Sequence, residues 1–335
     1  MITLISSLMV FLLVVMIHEF GHFSMAKLSG IQVNEFSIGM GPKILQKETD
    51  ETKYSLRALP IGGYVAMEGE EEHSENPRSF NNASILKRMA VVLAGASMNF
   101  ILGFLAFTLI FSIIGYPSNF VNEVIAGSPA EIAGIRSGDI ILETSNQKVK
   151  DLHDLNQIIQ NAKNNSIELK IKRDDEIINL KLTPEFSKEN NRYLIGINTE
   201  LKHSIFKSIQ YGFTRTIDMI KVILQSLKMM FSGSFKMEYL SGPVGVVQVI
   251  GQESSKGFLN FLQILGLISI NLGVFNLLPI PALDGGKFFF LLIEAIIGRP
   301  IDERIEQRIT LIGISLLISL MIYVTIFNDI GRLFK

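Results

Sequence analysis

Residues 2–26 read ITLISSLMVFLLVVMIHEFGHFSMA, and no charged side chain precedes His18 in this stretch. About 20 consecutive apolar residues are enough for a transmembrane helix. His18 and His22 are four residues apart, so they lie on one face of that helix. Two imidazoles in this arrangement can bind one metal ion, and Glu19 can accept a proton from a water molecule beside it. Ionisable side chains are costly inside a membrane, which favours a functional site over a chance pattern.

The composition is too apolar for an average soluble protein, because 48% of the 335 residues are hydrophobic. The formal net charge is −1, which gives no electrostatic reason to expect nucleic acid as a partner. The chain contains no cysteine. Disulfides are therefore excluded, and a zinc site has to be built from histidine and carboxylate side chains.

Four apolar segments predict four transmembrane helices, at residues 2–26, 89–114, 258–278 and 309–327. Residues 204–231 mix charged and apolar side chains, which predicts an amphipathic helix on the membrane surface, or alternatively a helix packed on the preceding domain. Between the first two spans the sequence predicts short strands, with turns at Gly39, at Gly41-Pro42 and at residues 49–52. A short interfacial helix is predicted at residues 288–297, and the acidic residues 68–75 predict a solvated loop.

The distribution of Lys and Arg predicts the orientation in the membrane. Eight of them lie between the first and second spans and four between the third and fourth, whereas the tails contribute only Arg332 and Lys335. Basic loops stay in the cytosol. Both termini and the domain after the second span are therefore predicted to be extracytoplasmic, and the metal end of the first span to face the cytosol.

The same orientation identifies Asp284 as a candidate third ligand. The first and third spans run in the same direction, so His18, His22 and Asp284 fall at a similar depth. A fifth span at residues 204–231 would place Asp284 on the opposite side, which supports four spans. Pro279 and Pro281 break the helix just before Asp284. Two histidines and one carboxylate leave a tetrahedral position open for water, as in catalytic zinc sites.

Residues 115–186 alternate short strands with one helix over residues 152–162. The sequence VIAGSPA at 124–130, followed by AGIRSGDII at 133–141, resembles a bacterial PDZ domain. PDZ domains bind extended peptide ends by strand addition. The alternative is a PDZ domain that acts only as a steric lid or spacer.

Taken together, the motifs resemble the site-2 protease family of intramembrane zinc metalloproteases, in its bacterial PDZ-containing branch. They are HEFGH at 18–22, Gly95 with Met98-Asn99-Phe100, SGPVG at 241–245, and NLLP at 276–279 leading to LDGG at 283–286. The resemblance implies that zinc (Zn²⁺) is held by His18, His22 and Asp284. It also implies that Glu19 is the catalytic acid and base, that residues 39–65 form a membrane-associated β-loop, and that Asn99 and Asn276 help to bind substrate. Ala96 stands where the family pattern has proline, which puts a local bend in the second span in doubt.

The expected fold is a polytopic α-helical membrane protein with four transmembrane helices, a membrane-associated β-loop and an inserted α+β PDZ domain. The expected division is a protease core at 1–114 and 258–335, the PDZ domain at 115–186, and an amphipathic region at 187–257. The resemblance implies regulated intramembrane proteolysis in the bacterial inner (cytoplasmic) membrane. Its substrates would be single-span membrane proteins such as anti-sigma factors and signal-peptide remnants. The other expected partners are the lipid bilayer and a peptide end bound by the PDZ domain.

Two other classes of function are open to the same sequence. One is a proteolytically inactive scaffold that binds membrane partners through its PDZ domain, and the other is a metal transporter. Glu19 and a complete ligand set argue against the scaffold. A transporter has little use for a Glu beside two helical histidines, so the sequence favours the protease.

Overall fold

The computed structural model describes residues 2–70, 74–188, 190–233 and 241–330. The centre of the predicted acidic loop, residues 71–73, and the basic residues Arg332 and Lys335 of the C-terminal tail lie outside them. The chain divides into two compact units, one made of residues 1–108 and 212–335 and the other of residues 109–211.

The helices are α1 (Ile2–Leu28), α2 (Ile85–Ile114), α3 (Pro129–Ile132), α4 (Leu152–Ala162), α5 (Ile205–Phe231), α6 (Pro243–Ser255), α7 (Phe258–Asn276), α8 (Asp284–Ile297) and α9 (Glu303–Val324). A short π-helix, Thr325–Ile330, continues α9. The strands are β1 (Val33–Glu48), β2 (Lys53–Met67), β3 (Tyr116–Val124), β4 (Ile140–Thr144), β5 (Gln147–Lys148), β6 (Ile167–Arg173), β7 (Glu176–Leu182), β8 (Glu185–Ser187), β9 (Arg192–Leu194) and β10 (Ile197–Lys202).

Four helical stretches among the described residues are long and apolar enough to cross a membrane: Thr3–Leu28, Ile85–Ile114, Phe258–Asn276 and Arg304–Asp329. They confirm the four predicted spans. The amphipathic helix α5 is not one of them, as its charged side chains predict. Helix α8 begins at Asp284, four residues before the start of the predicted interfacial helix, and it ends at the predicted residue, Ile297.

The region between the first two spans is a long hairpin that folds back on itself. Residues 35–38 of β1 pair with residues 63–66 of β2 on one side and with residues 53–56 on the other, and residues 53–56 also pair with residues 45–48. The chain therefore reverses direction between Ile38 and Lys43, so the prediction of several short strands with turns at Gly39 and at Gly41-Pro42 is confirmed. Strands β1 and β2 pair antiparallel from Val33 opposite Met67 to Glu48 opposite Lys53, with the turn at the predicted residues 49–52. Gly39 has φ +83°, a conformation that costs glycine little, and the register shifts between Ile38 and Lys43 mark the point where the strand folds back.

The second unit is built on a six-stranded sheet. Its order is β10-β3-β4-β6-β7, with β5 paired to β4. The core is apolar and includes Val121, Ile141, Leu155, Leu169 and Ile171. Helix α4 has the predicted bounds. Strand β10 pairs with β3 and lies beyond residue 186, so the sheet extends past the predicted boundary; the other predicted boundaries stay predictions.

In the first unit, the end of the fourth candidate span is bonded to the start of α6. The Asp329 carboxylate, which is 4% exposed, accepts hydrogen bonds of 2.9–3.0 Å from the backbone N–H groups of Gly242, Val244 and Gly245. A helix N-terminus favours a carboxylate because its N–H groups have no partner within the helix. Helix α6 in turn packs on α1, where Gly251 lies against Thr3. The SGPVG sequence therefore helps to fix the helix that carries the two histidines.

Candidate metal site

The HEFGH sequence lies in the C-terminal half of α1. Asp284, the first residue of α8, faces the two histidines of this sequence. His18 Nε2 lies 3.2 Å from His22 Nε2 and 3.1 Å from Asp284 Oδ2, and His22 Nε2 lies 3.4 Å from the same oxygen. The His18 side chain is 9% exposed, that of His22 12% and that of Asp284 24%. The three predicted ligand atoms therefore form a nearly equilateral triangle at the end of an apolar helix.

This triangle fits a zinc ion. Zinc bonds to nitrogen and carboxylate oxygen of ~2.0–2.1 Å, arranged as a tetrahedron, place neighbouring ligand atoms about 3.3 Å apart. The three observed separations bracket that value. Asp284 Oδ2 is shielded from solvent and accepts no hydrogen bond from any residue that the structure describes. A buried carboxylate oxygen needs a partner, and a cation shared with the two imidazoles supplies one.

The imidazole rings are held from behind by α2. His22 Nδ1 is 2.8 Å from the carbonyl oxygen of Val91, so this nitrogen carries the proton and donates it. His22 Nε2 is then left with its lone pair directed at the site. His18 Nδ1 is 3.1 Å from the side-chain amide of Asn99, and the amide of Asn276 lies 3.4–3.5 Å from both nitrogens of the same ring.

A glycine allows α2 to approach the site. A Cβ added to Gly95 would lie 2.3 Å from His22 Nε2 and 2.7 Å from His18 Cε1. No side chain fits there. Helix α2 runs without interruption from Ile85 to Ile114 and includes Ala96, where the family pattern has proline.

Asp284 is placed by an irregular connection and by two ion pairs. Helix α7 ends at Asn276, and Ala282 has φ +83°, an unusual conformation for a residue with a Cβ. On α8, the carboxylate of Glu294 pairs with both terminal nitrogens of Arg88 on α2, and both side chains are largely buried. Lys287 pairs with Glu70 at 2.7 Å. These contacts anchor α8, and with it the ligand at its first residue.

Glu19 lies on α1 between the two histidines and faces the hairpin. A Cβ on Gly63 of β2 would be 3.6 Å from Glu19 Cγ, so the hairpin backbone passes beside this carboxylate. A carboxylate beside a set of metal ligands can exchange a proton with water and substrate. The arrangement combines a metal-ligand set, a proton acceptor and a neighbouring strand.

The structure brings all six predicted site residues together: His18, Glu19, His22, Asn99, Asn276 and Asp284. The sequence did not reveal two further participants. The Val91 contact with His22 comes from a backbone carbonyl, which every residue has, so the residue type at position 91 does not indicate it. Gly95 was part of a recognised motif, but its contact with the histidine rings depends on how two helices pack.

Comparison with known proteins agrees with this site. Residues 6–320 match the family described as Peptidase family M50. A protein of Clostridium acetobutylicum, whose name places it among the zinc metalloproteases, is 41% identical over 325 residues, which are 96% of each chain. The regulator of sigma-W protease RasP of Bacillus subtilis is 31% identical over 418 residues, and the match covers 99% of each chain. These matches extend over both compact units.

Solved structures match a smaller part. The PDZ domain of an SdrC-like protein from Listeria monocytogenes covers 26% of this chain and 90% of its own, with 20% identity and a TM-score of 0.23. The corresponding domain from Listeria innocua covers 26% of this chain and 97% of its own, with 24% identity and a TM-score of 0.23.

Proposed function

Because this chain belongs to peptidase family M50, we propose that it hydrolyses peptide bonds of membrane proteins at a zinc ion. The observation that carries the proposal is the triangle of ligand atoms from His18, His22 and Asp284, with sides of 3.1–3.4 Å. These side chains would hold the ion and leave a fourth position open. Zinc is favoured over other metals because relatives from Clostridium and Bacillus are named zinc metalloproteases.

Glu19 is the proposed catalytic acid and base. When bound, zinc supplies Lewis-acid chemistry that makes water a nucleophile near neutral pH. The Glu19 carboxylate takes the proton that the water loses as its oxygen bonds to the scissile carbonyl carbon. The Glu19 carboxyl group then gives that proton to the leaving amine nitrogen as the C–N bond breaks.

The hairpin is the proposed binding surface for the substrate backbone. A peptide bond in a helix is shielded and its N–H is already engaged, so the substrate has to be extended before cleavage. Among the described residues, 35–38 and 53–56 are paired on both sides, so the free edges of the folded hairpin are residues 45–48 of β1 and residues 63–66 of β2. Met40, Ile44, Leu45 and Leu59 of the hairpin are exposed and apolar. An unwound transmembrane segment can pair with such an edge as an added strand.

The proposed substrates are single-span membrane proteins. A site at the end of an apolar helix is reached most directly from within the bilayer. The Bacillus subtilis relative is named a regulator of sigma-W protease, which favours membrane-anchored regulators of sigma factors as one substrate class. Asn276 and Asn99 stay predicted substrate contacts; Asn276 is partly exposed, whereas Asn99 is fully buried.

The proposed orientation places both termini outside the cytoplasmic membrane and the site toward the cytosol. Its support is the excess of Lys and Arg in the loops between spans one and two and between spans three and four. The chain has no cysteine, so single cysteines can be introduced without background labelling. An impermeant thiol reagent should label Asn164→Cys in intact cells and Asp50→Cys only after permeabilisation. The reverse pattern would overturn the orientation.

Cleavage of a single-span test substrate in detergent or liposomes tests the proposed activity. Glu19→Gln keeps all three ligands, so it should retain zinc and yet lose ~10²–10⁴-fold or more in rate. Glu200→Gln is the matched control, because Glu200 is an exposed carboxylate outside the hairpin, on β10, and pairs with Lys202. Wild-type cleavage by Glu19→Gln would refute the role of Glu19. Zinc transport without any cleavage would identify a transporter, and partner binding without either would identify a scaffold.

A further inference from the structure

A histidine that binds zinc through Nε2 has to carry its single proton on Nδ1, where it needs an acceptor. Such acceptors fix the ring and its tautomer, and their removal typically weakens metal binding 10–100-fold. For His22 the acceptor is the carbonyl oxygen of Val91, at 2.8 Å. The corresponding group for His18 has to be found among the side chains around its Nδ1.

Asn99 of α2 occupies that position. Its carboxamide lies 3.1 Å from His18 Nδ1, and the residue is 0% exposed. Asn276 also approaches this ring, but at 3.5 Å from Nδ1 it is at the limit of hydrogen bonding. Asn99 is therefore the nearest polar side chain to the nitrogen that faces away from the other ligands.

The structure holds Asn99 firmly. The Ser269 hydroxyl on α7 donates a 2.8 Å hydrogen bond to the Asn99 backbone carbonyl, at a site where both residues are fully buried. Of the two ends of the carboxamide, the nitrogen faces His18, and Oδ1 is buried without a partner among the described residues. A half-turn about the last side-chain bond exchanges two ends of nearly equal size. Oδ1 then accepts the Nδ1 proton of His18 and gains the partner that it lacks.

We propose that Asn99 is a positioning residue for the metal site, whose carboxamide oxygen accepts the Nδ1 proton of His18 and directs Nε2 at zinc. The inference rests on the proposed zinc site. It gives Asn99 a role that acts through His18, which differs from contact with the substrate. A substrate contact would change the KM for substrate, whereas a positioning residue changes the affinity for zinc in the absence of substrate.

The test is the zinc dissociation constant of the full-length purified protein, measured by competition with a chelator. Asn99→Leu keeps the shape of the side chain without an acceptor and should bind zinc 10–100-fold more weakly. Asn99→Asp restores an acceptor and should stay within about threefold of wild type. Ser97→Ala is the control on the same helix, because the exposed Ser97 hydroxyl donates to the Leu93 carbonyl of its own helix, and it should not change the constant.

The outcomes separate this inference from the proposed function. If Asn99→Leu binds zinc as tightly as wild type, or if Asn99→Asp is as weak as Asn99→Leu, Asn99 is not the acceptor and the inference is wrong. If wild type binds no zinc, the proposed function fails first. Should Asn99→Leu not fold, Asn99→Ala removes the acceptor without new bulk and gives the same comparison. The absorption spectrum of bound Co²⁺ provides a second readout of the ligand geometry in each variant.

Discussion

Adding one methyl group at Gly95 should weaken zinc binding although all three ligand side chains are kept. The Cβ of Gly95→Ala would lie 2.3 Å from His22 Nε2 and 2.7 Å from His18 Cε1. Comfortable contacts between such atoms are about 3.5–4.0 Å. One ring, or helix α2 as a whole, therefore has to move by roughly 1 Å or more.

A displacement of that size is large for a metal site. Ligand distances have to fall within about 0.2 Å of their ordinary values for a site to form. We therefore expect zinc affinity to fall at least ~100-fold, which corresponds to about 2.7 kcal/mol. Overpacking should also cost ~1–3 kcal/mol in the free energy of unfolding.

The matched control for this variant is Gly103→Ala. Gly103 also lies on α2, but its added Cβ would meet the Ile270 side chain at 2.5 Å and no metal ligand. It should lower the melting temperature and leave zinc affinity unchanged. Zinc affinity is measured by chelator competition and stability by thermal unfolding in detergent. If Gly95→Ala binds zinc within about threefold of wild type, the close packing of α2 on the histidines is wrong.

Two further predictions concern stability. Asp329→Ala should lower the free energy of unfolding by about 3 kcal/mol, because three N–H groups at the start of α6 lose a charged acceptor. Asp329→Asn should cost less, and equal melting temperatures for all three proteins would contradict this prediction. Burial raises the pKa of Glu35, but the hydrogen bond from Arg57 and the charge of Lys43 outweigh it and hold the pKa at about 2, below the ordinary 4.5. The folded-state pKa is depressed, so this stabilisation should be complete above pH 4.5 and be lost as the pH falls toward 2. Glu35→Gln should flatten that part of a plot of melting temperature against pH, and an unchanged slope would refute the assignment.

The spans and the ligand set could be predicted because their signals are local or follow from counting. Long apolar runs have to be helical in a bilayer, so hydropathy alone located the four candidate spans to within a few residues. Asp284 followed from the direction of the spans, and the structure places its Oδ2 3.1 Å from His18 Nε2. Helix α4 was predicted to its last residue, since Asp151 caps its start and apolar side chains line one face.

What the sequence did not reveal depends on contacts between distant segments. The turns at Gly39 and Gly41 were predicted, but the pairing of residues 35–38 with residues 53–56 within the same hairpin was not. Strand β10 belongs to the sheet because it pairs with β3, some 80 residues earlier. Gly95 has no room for a side chain because the His18 and His22 rings of α1 pack against it. The sequence around Gly95 does not predict this contact between two helices.

The metal content of three purified proteins tests the central claim most directly. Wild type and Glu19→Gln should each hold about one zinc ion per chain, because both keep His18, His22 and Asp284. Asp284→Ala should lose most of its zinc while it stays folded, since two histidines alone form an incomplete site. Full zinc occupancy in folded Asp284→Ala, or no zinc in wild type purified in the presence of zinc, would contradict the account.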